Sequence, residues 1–135
     1  MSSFFDMERE KIRLMQPLVL AMIGDSVQTL FVREYVAKEY GVKVNKMNKM
    51  VSSVVSAGSQ FKTFKKIEDM LSEEEQEIAR RARNSNIHTK AKNFSYNEYI
   101  HATALEATIG YLYLTNQKER LNQFLTISLE ELVCD

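Results

Sequence analysis

Glycine and proline are so scarce in this chain that their scarcity restricts the fold more than any other feature. The 135 residues include 4 Gly and 1 Pro, about a third of the share usual in globular proteins. An all-β sandwich or barrel needs many tight turns, and such turns depend on these two residue types. We therefore expect an all-α protein, and the length is near the commonest one for a single domain.

The cysteine content and the N-terminal segment both indicate a reducing compartment. The one cysteine, Cys134, excludes an intramolecular disulfide and a thiolate metal cluster. The first residues carry acids where a signal peptide would be basic, and the longest apolar run, residues 17–23, is too short to span a membrane. We therefore expect a cytoplasmic protein without a membrane segment.

Apolar residues recur at helical spacing along most of the chain. The pattern predicts helices at about residues 16–40, 44–55, 59–67, 97–114 and 119–133. Pro17 suits the first turn of the first of these helices, and Gly41 suits its end. Ser72 and Glu75 form the capping-box pattern that is typical of another helix start. Residues 84–97, rich in Asn and Ser, predict a loop.

The first long helix is apolar over most of its circumference. Its large apolar side chains point in several directions, as the positions of Met22, Val27, Leu30 and Phe31 show. A helix that is apolar all round is buried. We therefore expect this helix to lie in the core or against a partner subunit.

Charge is segregated along the chain although 18 basic and 18 acidic residues sum to zero. Residues 40–67 carry six lysines and residues 78–97 carry five cations, both without an acid, and residues 68–77 carry six carboxylates. Such runs are more often solvated helix faces than binding sites. The alternative is a surface for a polyanion, because Lys and Arg neutralise phosphates. The candidate phosphate and sugar contacts are Arg80, Arg81, Arg83, Asn84, Lys90 and Lys92.

Two carboxylates, Asp25 and Glu106, lie in strongly apolar segments of two different predicted helices. A carboxylate in such surroundings is costly unless it is paired, hydrogen-bonded or bound to a cation. Small neighbours such as Gly24 would let the two helices approach closely, and the two acids could then converge on Mg²⁺, which takes oxygen ligands. The alternative, which spacing alone slightly favours, is that a buried arginine or a backbone amide binds each acid.

Other catalytic motifs have little support. His88 and His101 are the only histidines, and neither is followed by a metal-ligand residue three or four positions later in the chain. Each is therefore better explained as a loop or core histidine. The sequence contains no Gly-rich phosphate loop and no zinc motif.

Three segments of the chain resemble the ribonuclease III family. Residues 23–27, Ile-Gly-Asp-Ser-Val, resemble the signature of its catalytic domains, and residues 104–113, from Ala-Leu-Glu-Ala to Tyr-Leu-Tyr, resemble its second acidic helix. Residues 80–84, Arg-Arg-Ala-Arg-Asn, and the Lys-Asn pair at 92–93 resemble its short branch, Mini-ribonuclease III. The segments have the same order and spacing as in the family, and the similarity extends over about residues 18–125.

The resemblance implies the α-helical ribonuclease III endonuclease fold as one catalytic domain over residues 1–135, with a core at about 16–125 and no double-stranded-RNA-binding domain. It also implies a homodimer that holds double-stranded RNA in a valley and hydrolyses phosphodiesters with Mg²⁺. Asp25 and Glu106 would be the catalytic metal ligands. The short branch matures the precursor of 23S ribosomal RNA in the cytoplasm.

The chain lacks some acids of the longer family members. Leu18 and Ala21 stand where those members have acids in the signature helix, and Thr103 stands where they have an aspartate. The short branch lacks the same acids. Fewer protein ligands are therefore expected for the metal, and a second ion would need substrate phosphates and water.

Two other functions are compatible with the residues alone. A non-catalytic helical RNA-binding or ribosome-assembly protein would keep the basic segments and use Asp25 and Glu106 structurally; metal-dependent RNA cleavage would exclude it. A helical protein-interaction bundle would use the acidic residues 68–77 to bind a basic partner. Salt-sensitive binding to duplex RNA would exclude that second function.

Overall fold

The computed structural model describes residues 2–85 and 94–134, which form seven α-helices and two short 3₁₀ helices and contain no strand. The predicted all-α fold is therefore confirmed. The α-helices, in chain order, are α1 (Arg9–Arg13), α2 (Pro17–Tyr40), α3 (Val44–Val55), α4 (Ala57–Ile67), α5 (Glu73–Asn84), α6 (Phe94–Leu114) and α7 (Lys118–Ser128). The 3₁₀ helices Glu68–Met70 and Leu129–Glu131 follow α4 and α7. In the described part of the chain, no helix has both the length and the apolar character needed to cross a membrane.

Local sequence sets the ends of the long helices. Helix α2 begins at Pro17, whose missing N–H is no loss in a first turn. It ends at Tyr40, and the following Gly41 has the left-handed backbone (φ 55°, ψ 38°) that glycine adopts without strain. Helix α5 has the predicted capping box: Ser72 Oγ accepts from the Glu75 amide at 3.1 Å, and Glu75 Oε1 accepts from the Ser72 amide at 2.9 Å. Helix α6 begins at Phe94 rather than at residue 97, and α5 extends to Asn84, so both ends of the predicted loop 84–97 are helical. Residues 86–93 of that loop lie outside the described residues.

Helix α6 is the centre of the fold. It packs against α2, α4 and α5, and every residue from 102 to 114 except Glu106 is buried. Burying an aliphatic or aromatic side chain stabilises a fold by about 1.5–3 kcal/mol, so this helix anchors the main core. The largest fully buried members of that core are Tyr111, Phe64, Phe124, Ile12, Leu20, Ile67, Ile78, Leu105, Ile109 and Leu112. Glu106 therefore projects from a helix whose other residues in this stretch are held in the core.

Helix α2 is covered on one side. Its inner side packs on α6 and α3, and the residues buried there are Leu20, Ala21, Gly24, Gln28, Val32 and Val36. Its outer side exposes large apolar side chains: Leu18 is 44%, Val19 43%, Met22 75% and Leu30 51% exposed. The inner side thus lies in the core, as predicted, and this chain leaves the outer side uncovered, where the prediction allows for a partner subunit.

Candidate active site

Helices α2 and α6 touch backbone to backbone where they cross. A Cβ added to Gly24 would lie 1.7 Å from the carbonyl oxygen of Glu106, and one added to Gly110 would lie 2.0 Å from the carbonyl oxygen of Leu20. Because neither distance leaves room for a side chain, only glycine fits at the two positions. The contact brings Asp25, the neighbour of Gly24 in the chain, beside Glu106.

The two predicted acids interact directly. The Asp25 and Glu106 side chains are close enough for a hydrogen bond and for charge repulsion. Asp25 is exposed and Glu106 is half-buried, so the acid pair, Asp25 with Glu106, opens to solvent on the Asp25 side. Within residues 2–85 and 94–134, no Lys or Arg forms an ion pair with either acid.

Burial raises the pKa of the Glu106 carboxyl from its ordinary value of 4.5 to about 7. A hydrogen bond from the Gln60 side chain lowers this pKa, and the negative charge of Asp25 raises it. Two carboxylates that repel each other in this way favour a cation between them, because a cation stabilises both charged forms.

The donor set suits a hard divalent cation. The two side chains offer carboxylate oxygens, and Mg²⁺ needs one or two protein carboxylates when waters and substrate phosphates complete its coordination. No cluster of three or more His, Cys, Asp or Glu side chains with metal-binding geometry occurs in the described ranges. The acid pair could therefore hold a cation shared with a substrate, and it lacks the ligands of a closed structural site.

Two buried glutamines complete the surroundings of Glu106. Gln60 Nε2 of α4 donates to Glu106 Oε2 at 3.2 Å and to Gln28 Oε1 of α2 at 2.8 Å. Neither glutamine belongs to a motif that predicts a site. An amide three residues after Asp25 in an apolar helix was a signal for Gln28, but no sequence pattern places α4 beside α2.

Four of the residues predicted to contact RNA lie toward the C-terminal end of α5. Arg80 and Asn84 are exposed there, and Arg83 is half-buried with its guanidinium carbon 5.9 Å from the centroid of the Phe64 ring. That geometry is a cation–π contact, which holds the Arg83 side chain against α4. The predicted contacts Lys90 and Lys92, like His88, lie outside the described residues.

Arg81 makes structural contacts that no local sequence pattern predicts. Its guanidinium donates to the main-chain oxygens of Arg13 at 2.8 Å and Met15 at 3.1 Å. These bonds join α5 to the connection between α1 and α2. The RNA contact of Arg81 stays a prediction. Two of its guanidinium nitrogens already donate hydrogen bonds within the fold.

His101 of α6 lies in an aromatic cluster. Its Nδ1 is 2.8 Å from the main-chain oxygen of Asn97, and its ring centroid is 5.4 Å from that of Phe61 and 5.6 Å from that of Phe64. These contacts fit the interpretation of His101 as a core histidine.

Residues 18–117 match the family described as the Ribonuclease III domain. Relatives that carry the name Mini-ribonuclease 3 include a protein of Thermoanaerobacter sp. (strain X514), 39% identical over 122 residues, which are 90% of this chain and 86% of the relative. Another, from Clostridium tetani (strain Massachusetts / E88), is 40% identical over 120 residues, which are 88% of this chain and 80% of the relative.

A solved structure supports the same assignment. The crystal structure of a protein from Fusobacterium nucleatum superposes with a TM-score of 0.77 at 34% sequence identity, covering 89% of this chain and 96% of that one. The helical fold, the matched domain and the similarity to these relatives agree with one another. The chain therefore belongs to the ribonuclease III family, in its Mini-ribonuclease 3 branch, and is an endoribonuclease.

Proposed function

We propose that the chain is a Mg²⁺-dependent endoribonuclease that cleaves double-stranded RNA, with Asp25 and Glu106 as its catalytic, metal-binding pair. The observation that carries the proposal is the direct contact of these two carboxylates beside the Gly24–Gly110 crossing. In a nuclease family, an acid pair that has no basic partner among the described residues is best explained by a cation that the pair holds and that also binds the substrate phosphate.

The two acids have different roles in this mechanism. Asp25 is exposed and lies on the side of the acid pair from which a phosphodiester would approach. Glu106 is half-buried, and its carboxylate accepts a hydrogen bond from Gln60. Both side chains would hold the cation in their charged forms. The bound cation would supply Lewis-acid stabilisation of the phosphoryl charge and a water of lowered pKa for in-line attack.

We infer that basic residues of α5, and of the segment that follows it in the chain, hold the duplex by its backbone. Proteins recognise double-stranded RNA through its shape, its phosphates and its 2′-hydroxyls rather than through base edges. The candidates for these contacts are Arg80, Arg81, Arg83, Asn84, Lys90 and Lys92. The resemblance to the short branch favours the precursor of 23S ribosomal RNA, in the cytoplasm, as the natural substrate.

A homodimer is part of the proposal. The outer side of α2 is apolar and exposed, and beside it lies a largely apolar cleft lined in part by Phe4, Ile23, Val27 and Tyr113. Contiguous apolar surface of this kind is typical of protein interfaces, because its burial is favourable. A second copy of the chain covering this face would bring two acid pairs into one particle, one for each RNA strand.

The test is cleavage of a long double-stranded RNA in Mg²⁺ and in EDTA. Wild type should cut only with Mg²⁺, whereas Asp25→Asn and Glu106→Gln should bind the duplex without cutting it. Glu34→Gln is the matched control, because Glu34 is an exposed acid on the same helix as Asp25. Folded Asp25→Asn and Glu106→Gln proteins that cut as fast as wild type would refute the roles of the two acids.

A second arm compares a precursor 23S ribosomal RNA with an unrelated duplex of equal length. Faster cleavage of the precursor would support the proposed substrate. Binding of both RNAs without cleavage of either would favour a non-catalytic RNA-binding protein instead.

A further inference from the structure

We propose that Gln60, itself oriented by Gln28, is the residue that positions the Glu106 carboxylate for cation binding. This inference rests on the proposed function, in which Glu106 is a metal ligand. Gln60 touches neither substrate nor cation in this arrangement, so its role is one of positioning.

The hydrogen bonds define the orientation of the Gln60 amide. Its Nε2 faces two oxygens, Gln28 Oε1 at 2.8 Å and Glu106 Oε2 at 3.2 Å. A side-chain carbonyl and an ionised carboxylate only accept hydrogen bonds, and an amide nitrogen carries two N–H donors. Rotating the Gln60 amide by half a turn would set its oxygen against both acceptors. Gln60 therefore donates one N–H to each neighbour and links α2 to α6.

Burial of the two amides is not explained by packing. Gln28 is 0% and Gln60 is 3% exposed, and apolar side chains of the same size would fill that space without desolvating a polar group. Gln28 Nε2 has no hydrogen-bond partner in the part of the chain that the structure describes. An unpaired buried N–H is unfavourable. The presence of a glutamine at position 28 is therefore best explained by its side-chain oxygen, which accepts a hydrogen bond from Gln60.

Each member of this chain of contacts stands on a helix. Gln28 is one turn after Gly24 on the inner side of α2, and Gln60 lies in the first half of α4, whose N-cap is Ser56. Side chains held on packed helices keep a site geometry better than side chains on loops do. The Glu106 carboxylate is thus oriented from behind by two helices and leaves its other oxygen, Oε1, without the Gln60 bond.

Direct metal binding in the absence of RNA tests the proposal. Gln60→Met keeps the volume of the side chain and removes both donors. In a Mn²⁺ titration followed by the EPR signal of the free ion, its dissociation constant should rise about 10–100-fold, as is usual when a partner that orients a metal ligand is lost. The Mg²⁺ concentration for half-maximal cleavage should rise by a similar factor, with duplex binding in EDTA unchanged.

Gln76→Met is the matched control. Gln76 of α5 also makes an amide hydrogen bond, from its Nε2 to the main-chain oxygen of Leu71 at 3.0 Å, but the acid pair is not among its partners. Its substitution should leave Mn²⁺ affinity at the wild-type value. Gln28→Met should weaken Mn²⁺ binding in the same direction as Gln60→Met, and it serves as the test if Gln60→Met does not fold.

The outcomes separate the two levels of the argument. Wild-type Mn²⁺ affinity in folded Gln60→Met, together with lost affinity in Glu106→Gln, would overturn the positioning role and leave the proposed function standing. Wild-type affinity in Glu106→Gln would overturn the proposed function itself. A drop in affinity for Gln76→Met equal to that for Gln60→Met would show a general effect of lost amides and would also overturn the positioning role.

Discussion

Replacing Gly110 by alanine should force helices α2 and α6 apart at their crossing. The new Cβ would lie 2.0 Å from the Leu20 carbonyl oxygen, 2.9 Å from its carbonyl carbon and 3.1 Å from the main-chain nitrogen of Gly24. All three atoms are backbone atoms, so no side chain can turn away. An ordinary van der Waals contact of a Cβ begins at 3.4 Å, and the new Cβ would lie 2.0 Å from the Leu20 oxygen. The two helices would therefore have to move apart by about 1.4 Å.

A movement of this size has two measurable effects. Overpacking costs about 1–3 kcal/mol, and a clash with backbone belongs at the upper end of that range. Alanine regains about 1 kcal/mol of helix propensity over glycine, so the net destabilisation is about 2 kcal/mol. In a chain of this length, that free energy lowers Tm by about 8 °C. Catalytic groups displaced by about 1 Å lose about 100-fold in rate, so cleavage should slow by at least that factor.

Gly58→Ala is the control for the same substitution at a position with space. A Cβ there would meet the Glu98 carboxylate at 3.7 Å, which is an ordinary contact. This variant should cleave like wild type and be more stable by about 0.5–1 kcal/mol. Thermal unfolding by circular dichroism and single-turnover cleavage of duplex RNA with Mg²⁺ measure both quantities. A Gly110→Ala protein with wild-type Tm and rate would refute the argument that the helix contact sets the geometry of the acid pair.

Three further predictions concern other parts of the molecule. Met22→Lys, at the most exposed of the outer α2 positions, should give a monomer in sedimentation, whereas Val44→Lys, on α3 and 70% exposed, should sediment like wild type; a dimeric Met22→Lys would contradict the proposed interface. Because the folded-state pKa of Glu106 is raised from 4.5 to about 7, the free energy of unfolding of the metal-free protein should fall as pH rises from 4.5 to 7 and level off above it. Urea titrations of wild type and Glu106→Gln check this, since the variant should lack the fall. Arg83→Ala should reduce the slope of the logarithm of the RNA-binding constant against the logarithm of the salt concentration by about one unit, and an unchanged slope would exclude Arg83 from the interface. Arg81→Ala should reduce that slope and also lower Tm, because it removes two hydrogen bonds to main-chain oxygens.

Most of the fold followed from local information. The scarcity of turn residues led to the all-α class, and Pro17, Gly41 and the Ser72–Glu75 pair predicted helix ends that the structure has. The start of α6 was placed at residue 97 instead of Phe94, because the weak periodicity before it has the composition of a loop. The apolar pattern of α2 predicts burial in the core or against a partner subunit; the inner side is in the core, and burial of the outer side against a partner stays a prediction.

The site was predictable where a residue conflicted with its local surroundings. Asp25 and Glu106 stood out because charged side chains are costly in apolar helices, and the structure places them together. Gln60 belongs to an amphipathic helix, where an amide side chain is common. Its contact with Glu106 depends on how α4 packs against α6, which no local sequence pattern predicts. Gly110 and Arg81 were likewise missed in these roles, because the roles depend on where helices cross and which carbonyl groups lie nearby.

The backbone contact at Gly24 and Gly110 also determines how the protein can lose activity. The two acids stand on helices that interlock without intervening side chains, and α6 is the most buried helix of the described chain. Local opening that spares the core therefore leaves the acids together, and parting them requires cooperative unfolding of the whole domain. Cleavage and helical circular dichroism should then disappear at the same urea concentration. At high temperature, the rate of global unfolding should therefore determine how long the enzyme stays active.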